Sequence, residues 1–201
     1  MMRLYLVRHT ETKHVAGKCV GQSDVPLSEK GVADVVKIAS FVRTLAPNRV
    51  ISSDLERCAR LAEAIASQLS VCVEFDGSWR EMRFGKWENK TWDDIRAQDE
   101  DIFEEWTRDF VRTAAPDGES FADLQTRVER ALEKLKTREN ETVVVVTHAG
   151  PMRAALASAM GLPLDRAFSI HLNYGAIARL ASDGTDWTLY ELNNDLLTRC
   201  D

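Results

Sequence analysis

Arginine and histidine side chains follow three separated β-type segments of this sequence. Arg8 and His9 come directly after a short apolar run. Arg57 follows a second such run, and His148 follows four valines and a threonine. Arginine presents paired, planar donors that match phosphate oxygens, and histidine acts readily as a nucleophile or proton carrier near neutral pH. Two arginines and two histidines around one point would suit the binding and transfer of a phosphoryl group.

Each of these signals also has a structural explanation. An Arg-His pair after a strand is usually a solvated strand end. Arg57 alone would usually be a surface charge on a helix, as its neighbour Arg60 is expected to be. The convergence of three segments favours a site, because ligands of open α/β sheets bind beyond the carboxyl ends of the strands.

The elements that would position these residues alternate between strand and helix along the chain. The apolar runs predict strands at residues 3–7, 49–52, 71–75 and 142–146, followed by a hairpin of 176–181 and 187–192. His171 lies in a further strand-like run. This alternation predicts a three-layer αβα sandwich, an α/β fold with a mostly parallel central sheet.

Helix boundaries are indicated by capping residues. Ser28, Asp54 and Ser120 are predicted N-caps, and the last helix would carry Pro151 in its first turn and end at Gly161. The predicted apolar positions of the first helix are Val32, Val35, Val36, Ala39, Val42 and Leu45.

Residues 76–117 differ in character from the rest of the chain. Four of the five tryptophans lie here, and the spacing of Ile102, Phe103, Trp106 and Phe110 predicts one helix face. We interpret this segment as a helical insertion over the active site within a single domain of residues 1–201. Additional core helices are the alternative interpretation.

Composition excludes several classes of protein. The 201 residues are 44% hydrophobic and 29% charged, which is typical of a globular domain. Thirty-two acidic residues against 26 basic ones give a net charge of -6 without a Lys/Arg block, so nucleic-acid binding is not expected. The apolar stretches are far shorter than the about 20 residues of a spanning helix, so no membrane association is expected. Four cysteines without a regular framework favour a cytoplasmic location. The sequence carries no signal for an oligomeric state.

The remaining histidines receive a structural interpretation. His14 lies in a polar loop, and neither it nor His171 belongs to a spacing typical of a metal site. We therefore expect no metal and no cofactor.

Motifs over nearly the whole chain resemble those of the histidine phosphatase superfamily, also called the phosphoglycerate mutase-like family. The matching segments follow the family's order and lie at residues 6–12 (LVRHTET), 21–31 (GQSDVPLSEKG), 52–58 (SSDLERC), 81–88 (EMRFGKWE), 118–120 (GES) and 147–150 (THAG).

The resemblance implies a role for each candidate residue. His9 would be the nucleophile that takes the phosphoryl group, and Arg8, Arg57 and His148 would bind its oxygens. Glu81 would protonate the leaving oxygen and then deprotonate water, with Glu88 as the alternative acid.

Substrate recognition is predicted in two segments. These are the loop from Lys13 to Gln22, with Gly21 and Gln22 as candidate substrate-binding residues, and the insertion from Trp79 to Phe110. Trp87 or Trp92 could line the mouth of the site.

The sequence departs from the family's pattern at three positions. Many members have Gly at the place of Thr10 and Gly at the place of Ala149, where either residue still offers its backbone amide. Many have Asn at the place of Val15, whose side chain cannot donate a hydrogen bond.

The leading functional hypothesis is a metal-independent phosphatase that acts on a small phosphorylated metabolite, resembling short bacterial enzymes such as α-ribazole-5'-phosphate phosphatases. A phosphoglycerate mutase is the second hypothesis. It ranks lower because mutases of the family usually carry a longer insertion after the catalytic Glu, and this chain lacks one. A non-catalytic phospho-ligand binding module is the third, and it would not need His9, Glu81 and His148 together.

Overall fold

In a computed structural model the chain is described at residues 1–13, 17–137 and 140–197. Within these residues one sheet contains the strands β1 (Met2–Arg8), β2 (Arg49–Ser52), β3 (Val73–Phe75), β4 (Thr142–Thr147), β5 (Ile177–Ser182) and β6 (Trp187–Asn193). The α-helices are α1 (Glu29–Thr44), α2 (Glu56–Leu69), α3 (Trp92–Gln98), α4 (Glu100–Arg108), α5 (Phe121–Lys136) and α6 (Ala149–Met160).

The strand order brings the candidate residues to one edge of the sheet. The order is β3-β2-β4-β1-β5-β6, with parallel pairing among the first four strands and antiparallel pairing to β5 and β6. Arg8 is in register with Thr147, and Ser52 is in register with Val146. The carboxyl ends of β1, β2 and β4 therefore meet, as ligand sites of α/β sheets require.

Helices cover both faces of the sheet. Leu4 and Leu6 of β1 pack with α5 and α6, whereas Tyr5 and Val7 pack with α1 and α2. Every residue of β4 is buried. A strand covered on both faces is apolar throughout, which explains its valine run. The predicted αβα sandwich is confirmed.

Several helix boundaries lie where the sequence predicts them. Ser28 Oγ accepts a hydrogen bond from Gly31 N (2.9 Å), and Ser120 forms a capping box with Asp123. α6 ends at Gly161, whose φ of +63° is left-handed.

The predicted apolar face of α1 is partly wrong. Val32 and Val36 are 46% and 63% exposed, whereas Ile38 is fully buried. The reason is Gly31, where an added Cβ would lie only 1.9 Å from the carbonyl oxygen of Glu11. This close contact turns the Gly31 side of the helix inward and leaves the two valines outside.

Asp54 is not the N-cap of α2, so that prediction is wrong. Its carboxylate instead forms an ion pair with Arg80, with both oxygens engaged by the guanidinium. Leu55 occupies the N-cap position without a side-chain bond, and Glu56 N donates to Asp24 Oδ1 (2.9 Å). A two-point guanidinium contact binds a carboxylate more strongly than a backbone amide does.

The tryptophan-rich segment begins with two short 3-10 turns, Gly77–Trp79 and Gly85–Trp87, before α3 and α4. α4 ends at Arg108, so Phe110 lies outside the predicted helix face, and Ile102 is 40% exposed. The aromatic contacts of this segment centre on tryptophans: Trp92 stacks on Trp106, and the buried Trp87 packs edge-on against Trp106.

Two strand predictions need correction. β3 begins at Val73, two residues later than predicted, because only Val73–Phe75 pairs with β2. His171 lies between the 3-10 helix Leu164–Ser169 and β5, outside any strand.

Candidate active site

His9 directly follows β1 and is fixed through its backbone and its ring. Its amide donates to the carbonyl of Thr147 (3.0 Å), and its carbonyl accepts from Gly175 N (3.2 Å). Nδ1 lies 2.8 Å from the carbonyl oxygen of Thr10. A neutral ring therefore carries its proton on Nδ1 and keeps the lone pair on Nε2, which is the state of a nucleophilic imidazole.

Arg8, the last residue of β1, is held in place by two contacts. Nη1 donates to the carbonyl of Leu172 (2.7 Å), and the guanidinium carbon lies 4.1 Å from the centre of the Tyr174 ring. Its Nε is buried and finds no hydrogen-bond partner within the described part of the chain. A buried donor of this kind is costly unless a ligand accepts from it, so it suits an anion.

Arg57 lies in the first turn of α2 and is almost completely buried. Nη1 donates to the carbonyl of Ser23 and Nη2 to the carbonyl of Gly21, both at 2.8 Å. Nε donates to Nδ1 of His148 (3.2 Å). Further N–H groups on both Nη atoms remain to bind a ligand.

His148 follows β4 and is the N-cap of α6. Because Nδ1 accepts from Arg57, a neutral ring carries its proton on Nε2, which lies 2.9 Å from Ser53 Oγ. The ring is fully buried, and its centre lies 5.1 Å from that of His9. His148 therefore lies behind His9 and Arg57.

The electrostatics of the site favour neutral histidines. Burial, then the positive charges of Arg8 and Arg57, lower the pKa of His9 well below its ordinary value. Burial followed by the charge of Arg57 does the same to the pKa of His148. Burial also lowers the pKa of Arg8. Two arginines beside neutral imidazoles make a pocket that would gain from a bound anion.

Glu81 lies between the two 3-10 turns and reaches the start of α6. Its Oε1 accepts from Met82 N (2.8 Å) and its Oε2 from Gly150 N (3.3 Å). A Cβ at Gly150 would lie 2.1 Å from Oε1, so this carboxyl position requires glycine there.

These residues surround a cavity of about 650 Å³. Arg8, His9, Arg57 and Glu81 all line it. The rest of the wall includes aromatic, cationic and loop residues, among them Phe84, Trp92, Tyr174, Lys13, Lys18, Cys19 and Gly21.

Other candidates lie near the cavity without lining it. His148 lies behind the wall, and Gln22 donates its side-chain amide to the backbone carbonyl of Glu81 (3.0 Å). Glu88 binds the backbone of the Gly21 loop instead. Trp87 is buried, with its indole N–H bonded to Asp99.

Sequence reasoning missed Tyr174, and two positions that it discussed cannot be compared with the structure. Tyr174 lines the cavity and contacts both Arg8 and His9, but its irregular surroundings give no periodic signal. His14 and Val15 lie outside the described residues.

Two findings concern only the described residues. Across residues 1–13, 17–137 and 140–197, no three His, Cys, Asp or Glu side chains are grouped so as to hold a metal ion. No helix in that part of the chain is long and apolar enough to span a membrane.

Comparison with known proteins gives one family. A profile described as the histidine phosphatase superfamily (branch 1) matches residues 4–195. A probable phosphoglycerate mutase GpmB of Erwinia tasmaniensis is 32% identical over 193 residues, covering 93% of this chain and 88% of the relative.

Solved structures share the fold over almost the whole chain. The α-ribazole phosphatase of Shigella flexneri superposes with a TM-score of 0.89 at 26% identity and covers 96% of both chains. A mycobacterial glucosyl-3-phosphoglycerate phosphatase gives a TM-score of 0.81 at 26% identity, covering 96% of this chain and 98% of the other.

Proposed function

The chain belongs to the histidine phosphatase superfamily of enzymes, and we propose that it is a metal-independent phosphomonoester hydrolase that acts through a phosphohistidine at His9. The observation that carries the proposal is the hydrogen bond between His9 Nδ1 and the Thr10 carbonyl. It leaves the Nε2 lone pair for attack, on a residue that lines one cavity with Arg8, Arg57 and Glu81.

The reaction proceeds in two displacements. His9 Nε2 attacks phosphorus, the bond to the leaving oxygen breaks, and protonated Glu81 gives that oxygen its proton. Glu81 then takes a proton from water as the water oxygen attacks phosphorus. The P–N bond breaks, its electron pair returns to Nε2, and inorganic phosphate leaves.

Arginine side chains supply the charge compensation that metal ions supply in other phosphoryl transfers. Arg8 offers its unpaired Nε, and Arg57 offers its remaining Nη donors. Because His148 lies behind Arg57, it would donate to a phosphate oxygen only after Arg57 Nε turns toward the ligand, and the phosphate dianion would then favour the protonated ring.

The leaving group would face the outer wall of the cavity. Phe84, Trp92 and Tyr174 provide apolar, planar surfaces there. An aromatic nucleoside phosphate such as α-ribazole-5'-phosphate is therefore a candidate substrate, in keeping with the fold shared with the Shigella flexneri phosphatase. A phosphate-release screen that includes α-ribazole phosphate, sugar phosphates and 3-phosphoglycerate tests this choice.

Trapping the intermediate tests the mechanism. During turnover of a labelled substrate, an alkaline quench is expected to retain label on the protein, and peptide mapping is expected to find it on His9. A P–N bond is labile in acid and comparatively stable in base, whereas a serine or threonine ester behaves in the opposite way. Acid-stable label on Thr10 or Ser53, or full activity of His9→Ala, would refute the phosphohistidine.

Phosphoglycerate mutase activity is the second candidate. It is favoured by the exposed Lys13 and Lys18 at the cavity, which could bind a substrate carboxylate, and by the relatives named as probable mutases. We expect 3-phosphoglycerate to yield inorganic phosphate or no product, with little 2-phosphoglycerate. Efficient interconversion stimulated by 2,3-bisphosphoglycerate would reverse this ranking.

A further inference from the structure

Glu88 binds the loop that orients Arg57. Its Oε1 accepts from the backbone amides of Gln22 and Phe84, both at 3.1 Å. Its Oε2 accepts from the hydroxyl of Ser23 at 2.8 Å. The carboxylate is half-buried and does not belong to the cavity wall. Both carboxylate oxygens thus accept hydrogen bonds from the loop of residues 21–23, and Oε1 also accepts one from Phe84.

A single peptide group connects Glu88 to Arg57. The carbonyl of Gly21 accepts from Arg57 Nη2 at 2.8 Å, and the N–H of the same peptide, that of Gln22, donates to Glu88. Ser23 makes a second connection, in which its carbonyl accepts from Arg57 Nη1 and its hydroxyl donates to Glu88. A peptide between a cation and an anion is polarised by both, which strengthens each hydrogen bond.

Gly21 is the residue that this arrangement requires. Its φ is +53°, and a Cβ there would lie 2.5 Å from Glu88 Oε1 and 2.8 Å from Cδ. Any larger residue would displace the carboxylate from the loop. The backbone of the loop is thus adapted to Glu88 on one side and to Arg57 on the other.

We propose that Glu88 is a positioning residue that fixes the guanidinium of Arg57 through the loop of residues 21–23, and so sets the affinity of the site for a phosphoryl group. The inference rests on the proposed function in one respect, because it takes Arg57 as a phosphate ligand. Glu88 takes no part in proton transfer, which remains with Glu81.

A double-mutant cycle with Arg57 separates this role from a general contribution to stability. Inorganic phosphate is titrated calorimetrically into the wild type, Glu88→Ala, Arg57→Ala and the double variant. Glu88→Ala is expected to weaken phosphate binding by about tenfold, because charge-assisted hydrogen bonds to the loop are lost. In the Arg57→Ala background the same change is expected to alter binding by less than about twofold, since no guanidinium remains to be positioned.

Kinetics on p-nitrophenyl phosphate provide a second readout. Glu88→Ala is expected to raise KM by about the same factor as the phosphate dissociation constant and to leave the pH profile of kcat unchanged. A proton donor would change that profile. Glu88→Gln retains an acceptor oxygen for the loop amides, so it is expected to bind phosphate within about threefold of the wild type.

Glu63→Ala is the matched control, because it removes an exposed carboxylate from α2 away from the cavity. It is expected to behave as the wild type. If Glu88→Ala does not fold, Ser23→Ala replaces it in the cycle and is expected to weaken binding by about threefold through loss of one loop contact.

Equal effects of Glu88→Ala in both Arg57 backgrounds, or unchanged phosphate binding, would overturn the positioning role while leaving phosphatase activity in place. A wild type that neither binds phosphate nor releases it from any ester would instead refute the proposed function.

Discussion

The two histidines of the site differ in the use of their ring nitrogens. His9 commits Nδ1 to the Thr10 carbonyl, whereas His148 has Nδ1 engaged by Arg57 and Nε2 next to Ser53. Both residues follow strands, so the sequence pattern alone does not distinguish them. The hydrogen-bond partners do: Nε2 of His9 is left for the attack proposed above, whereas both ring nitrogens of His148 are engaged by Arg57 and Ser53.

Replacing Glu81 tests its proposed role as proton donor. Glu81→Gln keeps the shape of the side chain but removes the transferable proton, so turnover of alkyl phosphates is expected to fall by roughly 10²–10⁴. Turnover of p-nitrophenyl phosphate is expected to fall much less, because nitrophenolate leaves without protonation. Steady-state kcat on the two substrates provides the measurement, and equal losses on both would remove Glu81 from the acid role.

Arginine-based charge compensation predicts resistance to chelation. Arg8 and Arg57 line the cavity and provide donors to an anion without a metal. Activity is therefore expected to survive prolonged dialysis against EDTA within error of the untreated enzyme. Loss of turnover that zinc or magnesium restores would contradict this expectation.

At the scale of elements, the start of α6 fixes the carboxyl group of Glu81. β4 leads through His148 directly into this helix, and Gly150 in its first turn contacts Glu81. Gly150→Ala is expected to displace the Glu81 carboxyl, because the new Cβ would lie 2.1 Å from Oε1. The kinetic defect should therefore resemble that of Glu81→Gln, with alkyl phosphates affected more than p-nitrophenyl phosphate.

Gly77→Ala is the control for this prediction. An added Cβ at Gly77 would meet only Arg80 Nε at 3.8 Å, which is ordinary van der Waals contact. Its activity should match the wild type on both substrates. Normal hydrolysis of alkyl phosphates by Gly150→Ala would show that the position of the Glu81 carboxyl group does not require glycine at residue 150.

The sequence predicted correctly those features of the fold that depend on residues close together in the chain. The valine run of β4 and the Ser28 cap depend on burial and on near neighbours, and both are confirmed. The exposed Val32 and the ion pair of Asp54 depend on partners distant in sequence, Glu11 for the packing of α1 and Arg80 for Asp54. Tyr174 was missed for the same reason, since only the folded chain brings it to Arg8.

At the scale of the whole molecule, the buried histidines couple stability to pH. The pKa values of His9 and His148 are lowered by folding, so below about pH 6.5 the unfolded chain binds more protons than the folded one. Stability is expected to be complete above that pH and to fall on acidification, by up to about 1.4 kcal/mol per pH unit for each histidine. Urea unfolding between pH 7.5 and 5 measures this slope.

Single substitutions identify the source of the slope. His9→Ala and His148→Ala should each flatten the acid limb, whatever their stability at pH 7.5. Slopes equal to that of the wild type in both variants would assign the acid sensitivity to other groups.

The central position of β1 has a consequence for synthesis of the chain. β1 is synthesised before its neighbours in the sheet, β4 and β5, which span Thr142–Thr147 and Ile177–Ser182. During synthesis, the apolar strand β1, with Leu4, Leu6 and Val7, therefore remains unpaired. Such exposed apolar segments tend to aggregate or to bind chaperones. His9, the proposed nucleophile, is synthesised early but meets Arg57, Glu81 and His148 only when β4 pairs with β1. We expect nascent chains to remain unreactive toward phosphate esters until β4 has paired with β1.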